Sequence, residues 1–125
     1  MSETVHAVLL VDHGSRRAEA NDLVETLARA LAKRVDRIVK TAHLEAPEPS
    51  IAQGIDACVA EGATDIAVLP CFLAPGRHII EDVPRQATEA AARHRGVIVR
   101  VAEPLGTHPK IVEILLDRLG ETGPD

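Results

Sequence analysis

The chain has 125 residues, 46% hydrophobic and 26% charged, with a formal net charge of −5. That length reads as one domain spanning 1–125, able to bury roughly two-thirds of the surface its unfolded chain exposes, with the composition of an ordinary globular protein. Phe72 is the only aromatic residue and the balance is acidic, which argues against a stacking platform for nucleic-acid bases and against a generic polyanion-binding face. No run approaches the ~20 apolar residues of a membrane span, and Met1-Ser2-Glu3-Thr4 lacks the basic start of a secretory signal. The expectation is a cytoplasmic protein with no nucleic-acid or membrane partner. Cys58 and Cys71 form no metal-binding spacing and read as free thiols in a reducing compartment.

Residues 5–11 form a nearly continuous β-branched and aliphatic run, suited to a strand covered on both faces. After Asp12-His13-Gly14-Ser15-Arg16-Arg17, the spacing of Ala20, Leu23, Val24, Leu27, Ala28 and Leu31 predicts a helix with that stripe buried. Residues 37–44 read as a second strand, broken by Glu45-Ala46-Pro47-Glu48-Pro49. Ser50 and Gln53 predict a capping box opening a helix whose inner face is Ile51, Ile55, Cys58 and Val59, closed near Gly62. Residues 65–69 are a third strand. The next helix carries Ile80, Val83, Ala87, Ala90 and Ala91 inward, tolerates Pro84 in its first turn, and is closed by Gly96. Residues 97–101 are a fourth strand, and Pro109 starts a last helix with Ile111, Val112, Leu115, Leu116 and Leu119 as its core face. The core therefore spans about 5–119, with 120–125 as a polar, flexible tail.

Four strands alternating with four helices imply an α/β domain: a four-stranded parallel sheet, right-handed crossovers and helices on both faces. In such sheets the loops after the strands share one edge, and ligands bind there. That edge should gather His13 after the first strand, Glu45 after the second, His78 after the third and His108 after the fourth. The loop holding His78 is the most heavily punctuated: Pro70, Pro75 and Gly76 precede Arg77, His78, Glu81 and Asp82. Imidazoles with a carboxylate suit a divalent metal or proton transfer near neutral pH. Gly14 lets the backbone approach a ligand, and Arg16, Arg17, Arg77 and Lys110 offer cations to an anionic one.

Against these stand plainer roles. His6 lies within a strand and His94 at a helix end, and both read as structural. His43 ends the second strand and reads equally as packing. His108 is as well explained as a helix cap as by a ligand. His13 and His78, beside glycines in loops after buried strands, favour function over packing.

The segments V-D-H-G-S-R-R (11–17), L-E-A-P-E-P-S-I (44–51), L-P-C-F-L-A-P-G-R-H-I-I-E-D-V-P (69–84) and P-L-G-T-H-P (104–109) resemble the small class II tetrapyrrole chelatases of the CbiX/SirB type, over about residues 8–119. The resemblance implies insertion of cobalt, nickel or iron into sirohydrochlorin, with cobalt first. The metal is then a substrate, and no cofactor is permanently bound. It implies His13 and His78 as metal-site and catalytic residues, Glu45 as auxiliary base, and Arg16, Arg17, Arg77, Gly76 and His108 around the tetrapyrrole. Longer members carry two such domains, so it also implies a homodimer for this length. His43 stands where an aromatic or aliphatic residue is expected. Two other functions compete: a non-catalytic metal or tetrapyrrole carrier, and a phosphohydrolase using His13 covalently. The second is disfavoured because Asp12, where histidine phosphatases place an arginine, would repel phosphate.

Overall fold

The computed structural model describes residues 3–74 and 76–123; Met1 and Ser2, the turn residue Pro75, and the last two residues of the expected tail, Pro124 and Asp125, lie outside the described residues. Strands β1 (His6–Asp12), β2 (Ile38–His43), β3 (Asp65–Pro70) and β4 (Ile98–Val101) alternate with helices α1 (Ala18–Ala32), α2 (Ile51–Ala60), α3 (Arg77–Ala91) and α4 (Pro109–Gly120). All three strand pairings are parallel, in the order β2-β1-β3-β4. The strand order reverses between β1 and β3, and ligands of such sheets bind at that switch point.

Side chains alternate across the sheet because the strand period is two. Ala7, Leu9 and Val11 of β1 join Ile51, Ile55 and Cys58 of α2 and Val83, Ala87 and Ala90 of α3 in the larger core. Val8 and Leu10 face the other way, onto Val24 and Ala28 of α1. Fully burying each large aliphatic contributes about 1.5–3 kcal/mol. The expected capping box forms: Gln53 N–H donates to Ser50 Oγ at 3.1 Å and Ser50 N–H to Gln53 Oε1 at 2.7 Å. Gly62 follows the end of α2 at φ +99°, the left-handed region that favours glycine.

The structure corrects three expectations. First, α3 begins upstream of Pro84, which sits two turns inside it, so Arg77, His78, Glu81 and Asp82 lie on a helix and not in a loop. Gly76 is its N-cap, and the inward stripe passes through Ile79, Val83, Ala87 and Ala90. Ile80 is 52% exposed, because only the residues at Ile79's phase meet the sheet. Second, Leu23 and Leu27 of α1 remain exposed while Val24 and Ala28 are buried, as α1 meets the sheet along a narrower line than its apolar stripe. Third, α4 buries no side chain, and Val112, Leu115, Leu116 and Leu119 are each more than half exposed. The amphipathic pattern is real, yet the described residues leave that stripe uncovered.

Candidate active site at the sheet switch point

The C-terminal edge of the sheet carries, in spatial order, the loops after β2, β1, β3 and β4. Past the last register pair, β1 and β2 continue as a backbone ladder: Leu44 N–H donates to Asp12 O at 2.9 Å and Glu45 N–H to His13 O at 3.0 Å. That ladder sets Glu45 beside His13, and His13 Nε2–H donates to Glu45 Oε1 at 2.8 Å. Both side chains are solvent-accessible, at 51% and 66% exposure. With the proton on Nε2, the Nδ1 lone pair is available to a metal, while a carboxylate on the far nitrogen fixes the tautomer and orients the ring.

The turn after His13 is held from both sides. Gly14 has φ +96°, and a Cβ there would lie 2.4 Å from Ala46 O. Asn21 closes the loop, its Oδ1 accepting from Ser15 N–H at 2.9 Å and its Nδ2 donating to Ser15 O at 2.7 Å. Neither the asparagine six residues on nor the buried Asp12–His43 pair was among the sequence-predicted site residues. Asn21 has no sequence signal, since any polar residue on that side of α1 would satisfy the pattern.

Across the switch point, Phe72 meets His13 edge-on with ring centroids 6.4 Å apart. As the sole aromatic residue it was the one available clue to an apolar platform. It lines a cleft of about 250 Å³ with Ile79, Ile80, Val83, Val101 and Pro104. Leu105 N–H donates to Phe72 O at 2.9 Å, tying the β4–α4 loop to the same edge.

His78 occupies the first turn of α3, exposed and one helical turn from Asp82. Among the described residues it makes no hydrogen bond with His13 or Glu45, and no three His, Cys, Asp or Glu side chains converge as a preformed cation cage. His13 and Glu45 are thus brought together, while His78 shares the edge without joining them. His108 is resolved in favour of the cap: its Nδ1 accepts from Lys110 N–H at 3.1 Å. His43 is buried and paired with Asp12, and His6 is exposed. His94 Nε2–H donates to Asp56 at 2.7 Å.

Arg16, Arg17 and Arg77 are exposed at the start of α1 and α3. Arg17 lies 3.9 Å from Glu19 and Arg77 3.5 Å from Glu81, exposed pairs worth at most about 1 kcal/mol and readily exchanged for an anionic ligand. Asp82 is already engaged: the Arg85 guanidinium hydrogen-bonded to it holds its carboxyl below the usual range. Burial raises the Cys71 thiol, and the nearby Asp12 charge adds to this, so Cys71 is a poor thiolate ligand. Among the described residues no helix is long and apolar enough to cross a membrane.

A parallel, doubly wound sheet with an imidazole–carboxylate pair at its C-terminal edge and an apolar cleft between the ends of β3 and β4 and α3 defines a small-ligand α/β domain. The chain belongs to the CbiX family, whose profile matches residues 7–122. It is 37% identical over 113 residues to the chloroplastic sirohydrochlorin ferrochelatase of Arabidopsis thaliana, covering 90% of this chain and 50% of that protein. It is 35% identical over 117 residues to the sirohydrochlorin cobaltochelatase of Sulfurisphaera tokodaii, covering 94% of this chain and 93% of that one. The sirohydrochlorin chelatase SirB of Bacillus subtilis subspecies spizizenii, solved in complex with cobalt, superposes with a TM-score of 0.85 at 31% identity, over 94% of this chain and 51% of that one. The chain thus spans about half the length of several relatives it matches and nearly all of another.

Proposed function

We propose that this protein is a sirohydrochlorin chelatase that inserts a divalent metal, cobalt first among cobalt, iron and nickel, into the tetrapyrrole. The observation that carries the reading is the His13–Glu45 contact at the switch point, beside the apolar cleft walled by Phe72. Relatives named as cobalto- and ferrochelatases support it, and the relative of matching length, a cobaltochelatase, favours cobalt.

The cation, a substrate, is taken by His13 through its free nitrogen, with His78 supplying a second imidazole as the ring closes over the edge. Insertion displaces water from the metal and releases two pyrrole N–H protons. Glu45, accessible and next to His13, accepts one of them and offsets the cation's charge meanwhile, and the second passes to solvent water at the open edge. The macrocycle lies against Phe72, Ile79 and Pro104, and its peripheral carboxylates are met by Arg16, Arg17 and Arg77, near Gly76 and the His108 cap.

The active unit is a homodimer. The bare apolar stripe of α4, the exposed Leu23 and Leu27 of α1 and Ile98 on β4 are unpartnered apolar side chains of the kind that a protein–protein contact covers. A second copy supplies the half that longer relatives carry in the same chain.

Anaerobic insertion of Co²⁺, Fe²⁺ and Ni²⁺ into sirohydrochlorin, followed by absorbance with His13→Ala and His78→Ala alongside, tests the reading. Acceleration over the protein-free rate, reduced at least ~100-fold in both variants, is expected. Tetrapyrrole binding without acceleration would leave a carrier, and acceleration that survives both substitutions would put the site elsewhere.

A further inference from the structure

Just before His13 and Glu45 along the two strands stands a polar pair, one partner buried and the other half-buried, that the chemistry above does not use. Asp12 and His43 are the last residues of β1 and β2 and register partners in the ladder. Both therefore project to the face covered by α1. His43 Nδ1–H donates to the Asp12 carboxylate, with His43 only 4% exposed. A pair at that depth is a poor device for stability, since apolar residues of the same shape often serve as well or better.

Its position is more telling. The two backbone bonds that seat Glu45 beside His13 begin at Asp12 O and His13 O, immediately beyond this pair. His43 N–H donates to Pro49 O at 2.8 Å, drawing the far end of the Glu45 loop back to β2. A Cβ at Gly14 would stand 3.3 Å from His43 Cβ, so the turn carrying His13 rests on the same side chain. The pair is the last side-chain clamp between the two strands, one residue below His13 and two below Glu45.

We propose that Asp12 and His43 are positioning residues for metal capture: they hold the ends of β1 and β2 at the separation at which His13 and Glu45 meet, without touching metal or tetrapyrrole. The proposal rests on the chelatase reading only for its activity measurement; its metal-binding measurement stands apart.

The test compares His43→Leu, which breaks the pair, with His43→Asn, whose amide can still donate to Asp12, each in wild-type and Glu45→Ala backgrounds. Three quantities are read on the full chain: Co²⁺ affinity by calorimetric titration without tetrapyrrole, KM for Co²⁺ against kcat in insertion, and Tm. His43→Leu is expected to weaken Co²⁺ binding about 10- to 100-fold and raise KM for the metal, with Tm unchanged or higher. His43→Asn retains most of the affinity. In the Glu45→Ala background His43→Leu adds little, because the contact it protects is already lost. Wild-type affinity in His43→Leu, an equal loss in His43→Asn, losses at 43 and 45 that simply multiply, or no Co²⁺ binding by the wild type would each overturn the proposal. Should His43→Leu not fold, Asp12→Ala makes the same break from β1, and failure of both to fold would make the pair structural and defeat the idea. Wild-type protein that binds Co²⁺ but inserts nothing would sink the chelatase reading while the affinity series still decides this one.

Discussion

The two sides of the switch point are built differently. On the β1–β2 side, His13 and Glu45 are seated by two backbone hydrogen bonds past the strand ends, a glycine at positive φ, an asparagine clasp and a largely buried pair. On the β3–α3 side, His78 and Arg77 project from the open first turn of a helix whose N-cap, Gly76, makes no side-chain cap. The first side is set before any ligand arrives; the second is free to adapt to one. Such a division suits a protein that must hold a small cation in fixed geometry yet admit a large, polycarboxylate ring.

The sharpest way to break this contrast is a pair of glycine substitutions. Gly14→Ala meets both a left-handed backbone and a carbonyl at 2.4 Å, so a loss of about 1–3 kcal/mol in denaturant unfolding should accompany near-complete loss of insertion. Gly76→Ala has an ordinary φ of −68° and open space around its Cβ. Its cost should stay under about 1 kcal/mol, with activity altered only modestly. Equal effects at the two positions would erase the distinction drawn between the two sides.

Salt sharpens the comparison at smaller amplitude. In the proposed function Arg16, Arg17 and Arg77 meet the substrate from exposed positions, so raising ionic strength from ~0.05 to ~0.5 M should raise KM for the tetrapyrrole several-fold. Co²⁺ affinity at the His13–Glu45 side should move less. A common salt dependence of both would mean that the arginines also govern metal capture.

The smallest effect concerns the core beneath both sides. Burial pushes the Cys58 thiol up to about 11 from an unfolded value near 9. A raised acid contributes stability below its unfolded value, and this is lost as pH rises through the window from 9 to 11. Native protein should therefore show Cys71 alkylated well before Cys58, measured by mass spectrometry at pH 8. A slight decline in Tm above pH 9 should disappear in Cys58→Ala.

Much of this was legible beforehand because it depends on local pattern. The aliphatic runs, the Ser50–Gln53 box, the Pro109 start and the glycine after His13 each encode one backbone decision that neighbours do not alter. So does the placing of His13, Glu45, His78 and His108 after successive strands, which topology alone carries to one edge. The sequence by itself thus determined a parallel α/β sheet and the residue types that its topology carries to one edge. Three matters were decided only by tertiary structure. Pro84 lies within α3 because the packing of Ile79 and Val83 outweighs the one hydrogen bond a proline forgoes. His43 became a buried partner of Asp12 because register set the two opposite each other, which strand spacing in sequence cannot reveal. The stripe of α4 stayed bare because an amphipathic pattern specifies that a face must be covered, not which molecule covers it.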